Sequence, residues 1–120
     1  MPDRAMRILV ADDDHVFVDA TVALLRAAGY DVIGACGYHD ALDELDAHKG
    51  LDILLTDIVL DRGNGFALAR AARYRNPKLK VIYVTGYDVD VSEASGPVLT
   101  KPITLEMLRE TIGRLLSDAD

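Results

Sequence analysis

Short runs of apolar residues alternate along this chain with longer stretches whose apolar positions recur every three or four residues. Ile8-Leu9-Val10-Ala11 is short and uniformly apolar, the pattern of a strand buried on both faces, and it runs into Asp12-Asp13-Asp14. Val16, Phe17, Ala20, Leu24 and Ala28 then mark one side of a helix that Gly29 stops. Val32-Ile33 begins a second strand, and Ala41, Leu42 and Leu45 mark a second helix that ends near Gly50. Ile53-Leu54-Leu55-Thr56 is a third strand, ending at Asp57. The loop Asp61-Arg62-Gly63-Asn64-Gly65 leads into a third helix, with Phe66, Ala69 and Ala72 on one face and Pro77 to end it. Val81-Ile82-Tyr83-Val84 is a fourth strand, ending at Thr85; Val98-Leu99-Thr100 is a fifth, ending at Lys101-Pro102. Thr104 stands where an N-cap belongs, before a last helix with the stripe Leu105, Leu108, Ile112, Leu115 and Leu116. Ser117 to Asp120 reads as a polar, frayed end.

Strand and helix in alternation predict an α/β fold, with a parallel sheet and right-handed crossovers. A chain of 120 residues is one ordinary domain, here 1–120, long enough to bury a core without staples. The single cysteine, Cys36, excludes an intramolecular disulfide and reads as a small buried apolar residue. No apolar run approaches the roughly 18 residues of a membrane helix. No apolar region follows Met1-Pro2-Asp3-Arg4, so no signal peptide is expected and a cytoplasmic location is. The net charge of −7 argues against direct DNA or RNA binding, which needs a basic footprint.

The charge matters through its placement. Asp12 and Asp13 follow strand one, Asp57 strand three, Thr85 strand four and Lys101 strand five. The strands of a parallel sheet end at one edge, where open α/β folds bind ligands. Residues spread over the chain thus converge on one site. A carboxylate there can form a covalent acyl phosphate. Three carboxylates together repel one another, a conflict that a divalent cation such as Mg²⁺ relieves. Lys101 offers a compact positive charge to phosphate oxygens, and Thr85 a hydroxyl donor. Gly86 leaves the approach clear. Taken singly, Asp12 to Asp14 also read as helix caps, Asp57 as a turn residue, Thr85 as an ordinary strand residue and Lys101 as a solvated charge. Their joint occurrence at one edge favours the functional reading.

These segments, ILVADDD, LLTDIVLDRGNG, VTG and LTKP, occur in the order found in response-regulator receiver domains, and the chain resembles that family over about residues 6 to 117. The resemblance implies a flavodoxin-like, doubly wound, five-stranded parallel sheet in the order 2-1-3-4-5. It implies a CheY-like, stand-alone receiver of a two-component, histidine-to-aspartate phosphorelay. Asp57 would be the phosphoacceptor, and Thr85 and Lys101 would bind the phosphoryl group. Mg²⁺ would be held by Asp13 directly, by Asp12 through water, by Asp57 and by the Val59 backbone carbonyl. The Lys101-Pro102 bond would be cis. Partners would be a sensor histidine kinase or phosphotransfer protein and a downstream protein; a homodimer is left open. The chain would promote its own phosphorylation and dephosphorylation without being a turnover enzyme.

Three departures from the family pattern carry their own expectations. Asp61 stands where many receivers have proline, which predicts a looser loop after Asp57. Val98 stands where many have an aromatic residue, which closes the usual switch route. Between strands four and five, 86–97 holds two glycines, a proline and few apolar residues, so the helix there should be shortened or irregular, with one turn around Val91 to Ala94. This segment is expected to be ordered by phosphorylation. Thr85-Gly86-Tyr87 is similar in part to a receiver subgroup with a FATGUY motif. His15 sits beside the acids and could tune them; His39 and His48 lack metal-ligand spacing. An FMN carrier of the same fold would want a Ser, Thr or Gly-rich loop after strand one, where this chain has acids. A nucleotide hydrolase would want a G-x-x-x-x-G-K-[ST] segment, which is missing. A receiver fold that is never phosphorylated would not need the quintet.

Overall fold

The structure is a computed structural model that describes residues 5–86 and 88–117. The main strands are β1 (Arg7–Asp12), β2 (Asp31–Cys36), β3 (Ile53–Asp57), β6 (Lys80–Thr85) and β7 (Val98–Thr100). They form one parallel sheet in the order β2-β1-β3-β6-β7, which is the expected 2-1-3-4-5. The helices are α1 (His15–Ala27), α2 (Tyr38–Ala47), α3 (Gly65–Arg75) and α4 (Leu105–Ser117).

Side chains alternate across a strand, so β1 sends Leu9 and Ala11 to one layer and Ile8 and Val10 to the other. Leu9 and Ala11 pack with Leu54, Val81 and Tyr83 against Ala41 and Leu45 of α2 and Phe66, Leu68, Ala69 and Ala72 of α3. Ile8 and Val10 pack with Ile53, Leu55, Ile82 and Val84 against Val18, Val22 and Leu25 of α1 and Leu108 and Ile112 of α4. Both faces are covered, which is why the central residues of β1, β3 and β6 are apolar in unbroken runs.

The buried side of α1 differs from the expected one. Val18, Thr21, Val22 and Leu25 face the sheet, while Val16 is 65% exposed and Leu24 37%. The helix carries apolar residues on two sides, and periodicity alone does not say which meets the sheet. Cys36 is exposed, at the last residue of the edge strand β2. The partial desolvation that remains and the nearby Asp19 and Asp40 push its thiol pKa up, the opposite of an activated nucleophile.

The loop after Asp57 is more organised than expected. β4 (Val59–Leu60) and β5 (Gly63–Asn64) form an antiparallel ribbon, with Arg62 in the left-handed region at φ 63°. Asn64 then caps α3 by accepting the Ala67 N–H at 2.8 Å. At Gly65 a Cβ would lie 2.4 Å from the Asp57 carbonyl oxygen and 2.9 Å from Ile58 Cα. Only glycine lets α3 start directly under the strand end that carries Asp57.

The connection from β6 to β7 contains no helix among the described residues. A turn at Ser92–Glu93 is closed by Ala94 N–H donating to the Val91 carbonyl at 2.9 Å, at the expected place. Of its few apolar residues, Val89 and Ala94 pack on the core, while Val91 is exposed. The Tyr83 hydroxyl lies 3.0 Å from Ser95 Oγ, and Tyr83 N–H donates to the Pro97 carbonyl at 2.8 Å. Arg73 donates to Ser95 Oγ and, at 3.1 Å, to the Ser95 carbonyl. Tyr87 and the end beyond Ser117 lie outside the described residues.

Two glycines give opposite expectations. Gly65→Ala should cost about 2–3 kcal/mol, because a Cβ there meets backbone that cannot yield cheaply. Gly113→Ala, in the exposed middle of α4 with nothing within 4 Å of the added Cβ, should stabilise by about 1 kcal/mol. Urea denaturation of the two variants checks both signs.

Candidate functional site

The C-terminal ends of β1, β3, β6 and β7 deliver Asp12, Asp57, Thr85 and Lys101 to one edge of the sheet. Asp12 and Asp57 are 2% and 6% exposed, too buried to remain charged without compensation. Lys101 supplies it. Its ammonium lies 2.8 Å from Asp12 Oδ2 and 3.1 Å from Asp57 Oδ2, so one cation bridges both carboxylates. The ammonium also sits 4.2 Å from the centre of the Phe17 ring. The backbone holds Lys101 in place through its N–H, which donates to the Thr85 carbonyl at 2.8 Å. The Lys101-Pro102 bond is cis, as the resemblance implied.

The remaining polar atoms are matched. Asp57 Oδ1 accepts the Val59 N–H at 2.9 Å. Asp12 Oδ1 accepts the Asp14 N–H at 2.9 Å. Asp14 is the cap of α1, accepting from Val16 and Phe17, so the cap reading holds for this aspartate. Thr85 is buried at the end of β6, in register with Thr100. Asp13 is not drawn into the buried group. It is exposed, and its Oδ2 accepts the Asp61 N–H at 2.7 Å. Proline at 61 would have no such N–H, so the departure at this position ties the loop to Asp13.

Burial raises the Asp57 pKa, and the charge of Asp12 adds to that; the Val59 N–H and Lys101 oppose it. Burial works against the charge on Lys101, but its hydrogen bonds to Asp12 and Asp57 outweigh that and hold its pKa above the ordinary value. His15 is exposed at the start of α1, and His48 pairs with Glu44 at 3.3 Å, away from the acids. Phe17 and the Asp61 N–H are the site features that sequence reasoning missed. Phe17 follows the acids by one helical turn, which is the available signal for it.

The strand ends offer oxygen donors suited to a hard divalent cation: the buried carboxylates of Asp12 and Asp57 and the exposed carboxylate of Asp13. Among the described residues no three acidic, histidine or cysteine side chains form a preassembled cage. The position of the ammonium shows that Asp12 and Asp57 can share one cation. The donor set therefore fits Mg²⁺, an ion that uses few protein carboxylates and keeps water. Beside Lys101 an apolar pocket of about 600 Å³ opens between Phe17, Ala20 and Leu24 of α1 and Pro102 and Ile103.

Comparison with known proteins agrees with this geometry. The family model described as response regulator receiver domain matches residues 8–113. The response regulator receiver protein CpdR of Brucella abortus is 35% identical over 92% of this chain and 96% of its own length. The sensor kinase CckA of the same organism is 32% identical over 94% of this chain, which spans only 13% of that kinase. A receiver protein from Sinorhizobium medicae superposes with a TM-score of 0.86 at 26% identity, covering 97% of this chain and 98% of that one. Sequence match, sheet order and the charged strand ends agree, and the chain belongs to the response regulator receiver domains, the CheY-like modules of two-component signalling.

Proposed function

We propose that this chain is a phosphorylation switch in which Asp57 accepts a phosphoryl group from a phosphohistidine of a sensor kinase or phosphotransfer protein. The observation that carries the reading is the single ammonium shared by the buried Asp12 and Asp57. An Asp57 oxygen attacks phosphorus, the O–P bond forms as the N–P bond breaks, and the electron pair leaves with the imidazole, which takes up a proton. Lys101 already stands within hydrogen-bond reach of the accepting carboxylate and compensates the charge that arrives. Thr85, at the neighbouring strand end, offers its hydroxyl to a phosphoryl oxygen. Mg²⁺, held by Asp12, Asp13, Asp57 and the Val59 carbonyl, would supply charge neutralisation of the phosphoryl oxygens.

The exposed Val16 and Leu24 and the pocket beside Lys101 give a donor protein an apolar surface at the mouth of the site. We read residues 1–120 as one receiver domain that passes its state to a separate partner in the cytoplasm. The near-full cover of CpdR supports this, and no described helix is long and apolar enough to cross a membrane. With Val98 in place of an aromatic residue, the readout would fall to the connection after Thr85. Its hydrogen bonds and ion pair with α3 and β6 involve Glu93, Ser95 and Pro97, and within 88–92 Val89 alone packs on the core, so residues 88–92 have the most freedom to respond.

Acetyl phosphate with Mg²⁺ should add one phosphoryl group, seen by intact mass, and Asp57→Asn should abolish it; full labelling of the variant would refute the assignment. The raised pKa of Asp57 has a consequence for stability. The native state holds this proton more tightly than the unfolded chain does, so stability falls as pH rises from about 4, the usual carboxylate range, through the raised value. Asp57→Asn should remove that fall and leave the metal-free variant more stable than the parent at neutral pH, as measured by thermal unfolding across pH. Hydrogen exchange should show protection of residues 88–92 rising on phosphorylation, with 94–96 little changed. Equal protection of 88–92 in both forms would mean that the signal leaves by another face.

A further inference from the structure

A second feature lies at the end of the sheet away from Asp57. Residues 70–80, RAARYRNPKLK, hold five of the chain's 13 basic residues and no acid, in a chain of net charge −7. Two of these cations are matched: Arg70 lies 3.4 Å from Glu93 and Arg75 2.6 Å from Asp46. Arg73 is bonded to the neutral Ser95, and among the described residues neither Lys78 nor Lys80 has a carboxylate partner. These three cations line one cavity of about 610 Å³, between the end of α3, the start of β6 and α4. Its other lining is Pro77, Leu79, Val81, Ser95, Gly96 and Leu115, with no acidic side chain among them.

We propose that this groove is a docking site for an acidic, partly apolar segment of a partner protein. The cations meet carboxylates, and the accessible apolar lining at Pro77 and Leu115, backed by the buried Leu79 and Val81, receives a side chain between them. The wall is fixed in advance. A Cβ on Gly96 would lie 2.2 Å from the Val81 carbonyl oxygen, so the connection runs close against β6, and Tyr83 and Arg73 both hold Ser95. This rigidity lowers the ordering cost of binding. The acids elsewhere on the chain do not forbid an acidic ligand, because charges more than about 8 Å away are largely screened at physiological salt. The same screening and the small span of the groove favour a peptide over a nucleic acid, whose extended charge would meet the acidic remainder of the surface. The site is separate from Asp57 and does not rest on its phosphorylation.

The test uses the whole chain and a synthetic peptide of glutamates flanking one central leucine, followed by amide NMR shifts. Saturable shifts should map to 73–81, 95–96 and the end of α4. Charge reversal, K78E with K80E, should weaken binding by about tenfold or more. Leu115→Asn, at a half-exposed position, should weaken it at high salt as well as low, which separates the apolar contact from the charges. Both variants should keep the parent's far-ultraviolet circular dichroism spectrum and its cooperative unfolding. If K78E,K80E cannot be kept folded, K78Q with K80Q removes the two charges without reversing them and should weaken binding in the same direction. Shifts that map elsewhere, an unaltered affinity on charge loss, or tighter binding of an oligothymidylate than of the peptide would overturn the proposal.

Discussion

Two buried carboxylates on neighbouring strands need a cation, and in this chain the cation is Lys101. Asp12 closes β1 and Asp57 closes β3, which lie side by side in the sheet. Lys101 follows β7, with β6 between it and β3. Its side chain therefore reaches back across the strand end of Thr85, and the Phe17 ring lies beside its ammonium. The parallel order of the strands brings the partners together, and their mutual attraction ties three strand ends to one another. Removing the cation from such a group is costly because both carboxylates then stay buried without compensation. The same arrangement readies the site for chemistry, since a positive charge already stands where phosphoryl oxygens would arrive.

The ribbon after β3 shows how one substitution reorganises a loop. Proline at 61 would fix the backbone without a donor. Aspartate leaves an N–H that reaches Asp13, and the turn closes with Arg62 in the left-handed region. Gly65 then allows α3 to begin beneath Asp57 itself. Asp13 is thus held by the loop and stays outside the buried pair, so the two inner acids and the outer one have different surroundings despite adjacent positions in sequence.

Much of this was legible in the sequence, because strands buried on both faces have a composition that little else shares. The ends of those strands could be read to the residue, and with them Asp12, Asp57, Thr85 and Lys101. The side of α1 that meets the sheet could not, because Val18, Val22 and Leu25 compete with Val16, Ala20 and Leu24, and only packing decides between them. Cys36 was misplaced for a related reason: burial belongs to the position at the end of β2, not to the residue type. Contacts between distant segments were also hidden, such as Phe17 with Lys101 and Asp61 with Asp13. They depend on side-chain direction and loop path, which periodicity does not encode. The connection after Thr85 was rightly read as lacking a full helix, but its anchors, Tyr83 and Arg73 on Ser95, come from other elements.

The central claim is that Lys101 serves as the resident cation of the Asp12–Asp57 pair and that a divalent ion can share that place. Urea denaturation of the parent and of Lys101→Met, each with and without Mg²⁺, tests it most directly. The account predicts that the metal-free variant loses about 2–3 kcal/mol, since two buried carboxylates are left facing each other. It also predicts that Mg²⁺ stabilises the variant more than the parent, by mass action on a site no longer shared with an ammonium. A metal-free variant as stable as the parent, or equal stabilisation of both by Mg²⁺, would contradict it.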